Sequence, residues 1–162
     1  MHQSTLPCDF ALPAEWEPQS AIMLTWPHAG TDWKPYLPEI TDTYLELADI
    51  ITRYEQLLVA TPDVPATRYK LKKKLSAEQM SRVLLYEVES NDTWVRDHGP
   101  LTMVLRRKQN TWMVPYRILD FKFNGWGEKF RWEKDNAITL QLYYQAAVSY
   151  THLRAHETRR HL

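Results

Sequence analysis

Residues 82–100 read RVLLYEVESNDTWVRDHGP: a short apolar run, then two carboxylates, a guanidinium, an imidazole and an indole within ten positions, closed by Gly99-Pro100. The run from Arg82 to Ser90 is rich in Val, Leu and Tyr, which predicts a buried strand. Working backwards, AIMLTWP (Ala21 to Pro27) and QLLVA (Gln56 to Ala60) are two more runs of the same kind. Between the first two lies PEITDTYLELADIITRYE, in which Ile40, Tyr44, Leu47, Ala48 and Ile51 fall at helical spacing, Pro38 pre-sets the first turn, and Glu39 and Asp42 favour its positive end. Between the second and third lies turn chemistry, TPDVP, and a basic stretch around Lys70 to Lys74 that suits a solvated helix. Working forwards, LTMVLRR and TWMVPYRILDFKF flank KQN and read as a hairpin. The order strand, helix, strand, helix, strand, hairpin predicts an α/β fold whose first three strands pair in parallel through crossovers.

Composition agrees with a globular protein of ordinary size: 162 residues, 44% hydrophobic and 25% charged. No apolar run approaches the roughly 20 residues that span a bilayer, and MHQSTLPCDF lacks the basic-then-apolar pattern of a secretory leader, so the expectation is a cytoplasmic protein without a membrane partner. Twenty basic residues balance twenty acidic ones, which gives no reason to expect nucleic acid. The single cysteine, Cys8, excludes an internal disulfide and a multi-cysteine zinc site. Seven Trp and nine Tyr are a surplus of flat side chains that belongs to a large core, a ligand pocket or an interface.

The pattern breaks near residue 148. SYTHLRAHETRRHL, residues 149–162, holds three His, three Arg, one Glu and only two Leu, and so offers neither a strand nor an apolar helix face. His152 and His156 stand four apart, as a metal pair on a helix would, and the arginines would suit a basic arm. A disordered tail explains the same composition, and the string also resembles translated sequencing-adapter sequence. The boundary is therefore set at 1–148 for the folded part, with 149–162 expected to be a non-native tail. Without that tail the balance becomes 17 basic against 19 acidic residues.

The decapeptide NDTWVRDHGP carries the chemistry. At the C-terminal end of a parallel strand, side chains project into the crevice where α/β proteins bind ligands. An acid beside an indole suits a planar cation, because the carboxylate accepts parallel N–H bonds from a guanidinium while the ring face attracts its charge. Trp94 and Asp97 are three residues apart, which in an extended strand sends them to opposite faces. They reach one pocket only if the backbone turns or bulges between them, and Gly99-Pro100 makes that credible. Arg96 competes, since it could pair with Asp92 or Asp97 and leave a structural ion pair with no ligand. His98 alone reads more readily as a hydrogen-bonded structural histidine than as a catalyst.

Three segments, LPAEWEPQSAIMLTWPHAGTDW, NDTWVRDHGP and LDFKFNGWGEKF, resemble in order and spacing the start of agmatine deiminases, of the peptidyl-arginine-deiminase type of guanidine-modifying enzymes. The resemblance covers roughly residues 10 to 147. It implies a five-bladed α/β propeller of which this chain holds about the first two modules. It also implies hydrolysis of agmatine to N-carbamoylputrescine and ammonia, as in putrescine synthesis, with a cysteine thiolate as nucleophile, a histidine as acid–base, and no cofactor or metal. By the same resemblance Asp97 matches the carboxylate that holds the guanidinium, Trp94 the aromatic wall beside it, and Trp126 of NGWG another wall of that pocket. On the residues alone, Trp126 reads equally well as a core side chain in a loop corner. The family's nucleophilic cysteine and catalytic histidine lie in later segments with no counterpart here, and Cys8 precedes every matching motif. The chain is thus expected to be an N-terminal fragment, inactive by itself, of a parent that could be homo-oligomeric. Free or peptidyl arginine is the alternative substrate, with Lys122 or Arg117 to meet its carboxylate. The alternative of another class is a non-enzymatic module binding sugars or peptides on exposed Trp16, Trp33 and Trp132.

Overall fold

A computed structural model describes residues 10–105 and 116–149, with the side chains of 147–149 left aside. Cys8, the KQN turn and the histidines and arginines of 150–162 lie outside the described residues. Three strands, β2 (Ala21–Thr25), β3 (Gln56–Thr61) and β4 (Val83–Glu87), form a parallel sheet in the order β2-β3-β4, with Ala21 opposite Gln56 and Leu57 opposite Val83. Helix α1 (Leu37–Thr52) connects the first pair, and α2 (Val64–Lys74) with α3 (Ala77–Ser81) connects the second. The expected α/β order is therefore present.

Helices α2 and α3 start where a side chain accepts a free N–H group of the first turn, whereas α1 has no side-chain cap. Pro38 and Glu39 open α1. The Asp63 carboxylate accepts Ala66 N–H at 2.8 Å to cap α2, whose last turn carries Lys72, Lys73 and Lys74 against the negative end of the helix. Ser76 and Gln79 form a reciprocal capping box at α3.

The period-two alternation of β3 sorts the core into two layers. Leu57 and Val59 face α1 and α2, packing with Trp26, Ala48, Leu71, Leu75 and Val83. Ala60 packs on the other side with Val88, Ile138 and Leu142, joined by Leu58, Met23 and Tyr86. Burying a leucine such as Leu57 or Leu71 completely stabilises the fold by about 1.5–3 kcal/mol. Ile138 and Leu142 belong to α6 (Ile138–Ser149), so the sheet is covered on both faces, as a parallel sheet requires. A second, antiparallel sheet has the order β1-β5-β6, from β1 (Phe10–Ala11), β5 (Leu101–Leu105) and β6 (Tyr116–Leu119), with Leu101 opposite Leu119. That pairing is the expected hairpin. No helix in the described residues is long and apolar enough to cross a membrane.

Two boundaries differ from the sequence reading. Strand β4 stops at Glu87, short of Ser90, because its neighbour β3 ends at Thr61; the last bond across is from Val88 N–H to the Thr61 carbonyl at 2.9 Å. Strand β6 stops at Leu119 and does not run on to Phe123, whose N–H is taken by the Asn136 side chain at 2.9 Å. Both early endings free backbone for the site.

Candidate guanidinium-binding site

The site sits beyond the C-terminal ends of β2 and β4. Thr25, the last residue of β2, bonds through its hydroxyl to His98 Nε2 at 3.0 Å, which fixes the far end of the decapeptide to the sheet. His98 is 4% exposed, its Nδ1 is buried without a partner among the described residues, and burial pushes its pKa down to about 4. It is a neutral, structural histidine. A second tie joins the loops: His28 Nε2 lies 3.1 Å from Ser90 Oγ, while His28 Nδ1 accepts Gly30 N–H at 3.1 Å. Because Nδ1 accepts, Nε2 carries the proton and donates to Ser90, so this imidazole is not a base for that hydroxyl.

Between these ties the chain makes α4 (Val95–His98), a single helical turn closed by Asp97 N–H to Trp94 O at 2.9 Å and Gly99 N–H to Val95 O at 2.7 Å. The turn is the backbone reversal that the three-residue spacing calls for, since residues i and i+3 share a helix face. Trp94 is held from two directions. Its Nε1 donates to Asp92 Oδ2 at 3.0 Å, and its ring lies 6.2 Å from that of Trp33, whose Nε1 donates to Thr93 Oγ1 at 2.8 Å. Asp92 Oδ1 also accepts Thr93 N–H at 2.8 Å, so Asp92 shapes the loop.

Trp126 arrives from a different segment by an unusual path. Gly125, Trp126, Gly127 and Glu128 all have positive φ, at 60°, 57°, 83° and 65°, and so form one left-handed turn, α5 (Gly125–Glu128). Asn124 caps it by accepting Gly127 N–H at 3.1 Å. The two glycines adopt this conformation freely, whereas Trp126 and Glu128 cost about 1–2 kcal/mol each. Strain of this kind concentrates at functional sites. Its effect here is to aim Trp126 Nε1 at Asp97 Oδ1, 3.2 Å away, and to set the Trp126 ring edge-on to Trp94 at 6.4 Å and to Phe123 at 5.1 Å.

All three residues singled out from sequence, Trp94, Asp97 and Trp126, are therefore brought together. The two indoles remain 46% and 43% exposed, Asp97 is exposed, and its Oδ2 has no hydrogen-bond partner among the described residues. A carboxylate has about four lone-pair directions. Asp97 can thus accept N–H bonds from a planar cation while keeping the Trp126 bond. Arg96 is exposed and makes no ion pair with Asp92 or Asp97. Arg117 lies over the Phe10 ring at 4.3 Å and Lys122 over the Trp132 ring at 5.5 Å. Of the three tryptophans expected on an open face, only Trp16 is exposed, at 88%; Trp33 and Trp132 are half-buried.

Sequence reasoning did not find Asp135. Its carboxylate is 2% exposed, accepts the backbone N–H groups of Asn91 and Asp92, and has its pKa pushed up to about 6 by burial, against the lowering effect of those two bonds. The partners are more than forty positions apart in the chain, and nothing in the local string EKDNA announces the contact.

Comparison with known proteins bears on this arrangement. The family model of Porphyromonas-type peptidyl-arginine deiminase matches residues 11–157. A Yersinia pestis protein provisionally named an agmatine deiminase is 30% identical over 138 residues, covering 82% of this chain and 34% of its own length. A Pectobacterium atrosepticum protein of the same provisional name is 31% identical over 147 residues, covering 85% and 36%. Among solved structures, the substrate-bound agmatine deiminase of C. jejuni, a cysteine-to-serine variant, is similar with a TM-score of 0.73 and 28% identity over 93% of this chain and 40% of that one. A Porphyromonas gingivalis protein provisionally called an arginine deiminase is 38% identical, with a TM-score of 0.67, over 84% and 37%. The chain spans only about a third of the length of the curated relatives it matches. It belongs to the Porphyromonas-type peptidyl-arginine deiminase family.

Proposed function

We propose that this chain is the N-terminal part of an agmatine deiminase and supplies half of its substrate grip. The parent hydrolyses agmatine to N-carbamoylputrescine and ammonia in putrescine biosynthesis, in the cytoplasm. The observation that carries the reading is the convergence of Trp94 and Trp126 on Asp97, with the Trp126 N–H on Asp97 Oδ1 at 3.2 Å and the other oxygen open to a ligand. Similarity to a substrate-bound agmatine deiminase over 93% of the chain supports the same substrate class.

A guanidinium carbon is a weak electrophile, since its charge is spread over three nitrogens. Asp97 holds the cation in one orientation, and the indoles exclude water beside it. A thiolate then attacks the carbon, a histidine protonates the departing ammonia, and water releases the urea product from the covalent intermediate. The thiolate and the histidine come from segments of the parent outside this sequence, so the chain alone binds and does not turn over. Its two βα modules and hairpin are the first part of a five-bladed α/β propeller, in a parent that can assemble into homo-oligomers.

The second reading is deimination of free or peptidyl arginine, favoured by the family model and by the 38% identity to the P. gingivalis protein. Arg117 and Lys122, the two cations expected to meet a substrate carboxylate, are each engaged with a ring, of Phe10 and of Trp132, which favours agmatine. Ammonia release by the parent enzyme on agmatine, arginine and a peptidyl arginine decides between them. Agmatine is expected to be the best substrate and Asp97→Asn to abolish activity; full activity in that variant would remove Asp97 from the site.

A further inference from the structure

Three consecutive residues at the entrance to α6 reach both halves of the site. Asp135, in the 3-10 turn Asp135–Ala137, accepts Asn91 N–H at 2.6 Å and Asp92 N–H at 3.2 Å through Oδ1. Asn91 returns the contact, its side-chain oxygen accepting Lys134 N–H at 2.9 Å, and the Lys134 ammonium bonds Glu89 at 2.8 Å. Asn136 turns the other way and accepts Phe123 N–H at 2.9 Å. Its own N–H donates to the Trp132 carbonyl at 2.8 Å, which ties the turn to the loop that follows Trp126.

The order of the chain gives these bonds their meaning. Asn91 and Asp92 lead directly into Trp94 and Asp97, and Phe123 leads directly into the left-handed turn that presents Trp126. Between residues 91–98 and 121–130, the one hydrogen bond among the described residues is that of Trp126 with Asp97. Two irregular loops joined directly by one exposed hydrogen bond and by ring contacts of Trp126 with Trp94 and of Phe123 with His98 would sample many separations, and a displacement of about 1 Å at a binding group is costly. A buried carboxylate and an amide, adjacent on one turn, bond the backbone of both loops. We infer that Lys134–Asn136 is a clasp, with Asp135 and Asn136 as positioning residues that set the distance between Trp126 and the Trp94–Asp97 pair without touching the ligand.

This inference rests on the guanidinium reading of the site and adds residues which that reading does not use. The test uses the full 162-residue chain with 15N-labelled tryptophan. Asp135→Ala and Asn136→Ala should each shift the indole N–H resonances of Trp94 and Trp126, leave that of the core residue Trp26 in place, and weaken agmatine binding, read by fluorescence titration, about tenfold. Asp135→Asn should restore both readouts, because an amide oxygen accepts the same two backbone N–H bonds. If Asp135→Ala moves Trp26 as well, Asn136→Ala and Asp135→Asn decide alone. Unshifted Trp94 and Trp126 resonances in Asn136→Ala, or failure of Asp135→Asn to restore them, overturns the clasp. If the unaltered chain does not respond to agmatine, the guanidinium reading falls, and the resonances still decide whether the clasp exists.

Discussion

The left-handed turn at Gly125–Glu128 makes a sharp prediction, because its two glycines share a conformation and differ in surroundings. A methyl group added at Gly127, φ 83°, meets no atom within 4 Å; one added at Gly125, φ 60°, lies 2.5 Å from the Phe130 carbonyl oxygen and 3.0 Å from the Trp132 ring. Gly127→Ala therefore carries the backbone cost alone, about 1–2 kcal/mol. About 0.4–1 kcal/mol of this is offset by the reduced freedom of the unfolded chain. The net expectation is a destabilisation of about 1 kcal/mol. Gly125→Ala bears the same backbone cost and a contact that no side-chain rotation can relieve, because the struck atom is main chain; overpacking of this kind adds about 1–3 kcal/mol. Urea unfolding followed by circular dichroism should thus rank the variants clearly, with Gly125→Ala about 2–4 kcal/mol below the unaltered chain.

The local consequence separates the variants further. Relieving the clash at Gly125 moves the turn, so the Trp126 indole leaves Asp97 and its N–H resonance shifts, while in Gly127→Ala the bond at 3.2 Å stays intact. Equal stability of the two variants, or a displaced Trp126 in Gly127→Ala with an undisturbed one in Gly125→Ala, would refute the argument that this turn is what presents the tryptophan.

Further expectations concern the buried polar groups. Between pH 6.5 and about 4 the unfolded chain takes up a proton that buried His98 refuses, so stability falls as pH drops through that window, by about 3 kcal/mol in all; His98→Gln should flatten this slope in pH-dependent melts. Asp135 acts with the opposite sign: its raised pKa means that the folded chain holds a proton the unfolded chain has lost, so its contribution declines as pH rises from 3.8 to about 6, and Asp135→Asn should gain stability over the unaltered chain across that range. Thr25→Val removes the hydroxyl that meets His98 Nε2 and leaves the ring without a hydrogen bond among the described residues, a cost of about 1–3 kcal/mol in urea unfolding. Ser76→Ala breaks the capping box of α3 far from the site, so it should lower stability by about 1 kcal/mol and leave agmatine titration unchanged.

What could be read from sequence follows the range of each interaction. The parallel strands and α1 were legible because their apolar spacing is local and periodic, and the hairpin because two such runs flank turn residues. Helix α6 was not read: Ile138, Leu140, Leu142, Tyr143 and Tyr144 spread apolar and aromatic side chains around the axis and give no single stripe. Its Ile138 and Leu142 are nevertheless what cover the second face of the sheet. The ends of β4 and β6 were overrun because a strand stops where its partner stops, and the partner is distant in the chain.

The site divides along the same line. That Trp94 and Asp97 needed a backbone reversal to meet could be deduced from their spacing, and Gly99-Pro100 showed where it would end: the residue before a proline is driven from helical to extended geometry, and Gly99 has ψ of 156°. A bulge and a helical turn both satisfied that condition, and the choice fell to the turn once His98, its last residue, bonded Thr25 on β2, a partner 73 positions away. Trp126 could be assigned to the pocket only by resemblance, because a left-handed turn containing a tryptophan contradicts local preference, and only long-range contacts compensate for it. Of those contacts, Asp97 to the indole comes from the decapeptide, and Asn136 to Phe123 comes from a segment that local pattern describes merely as charged. A candidate site assembled this way is therefore strongest where single-sequence reasoning is weakest, and substitutions in the bland string KDN should disturb it as surely as those in NDTWVRDHGP.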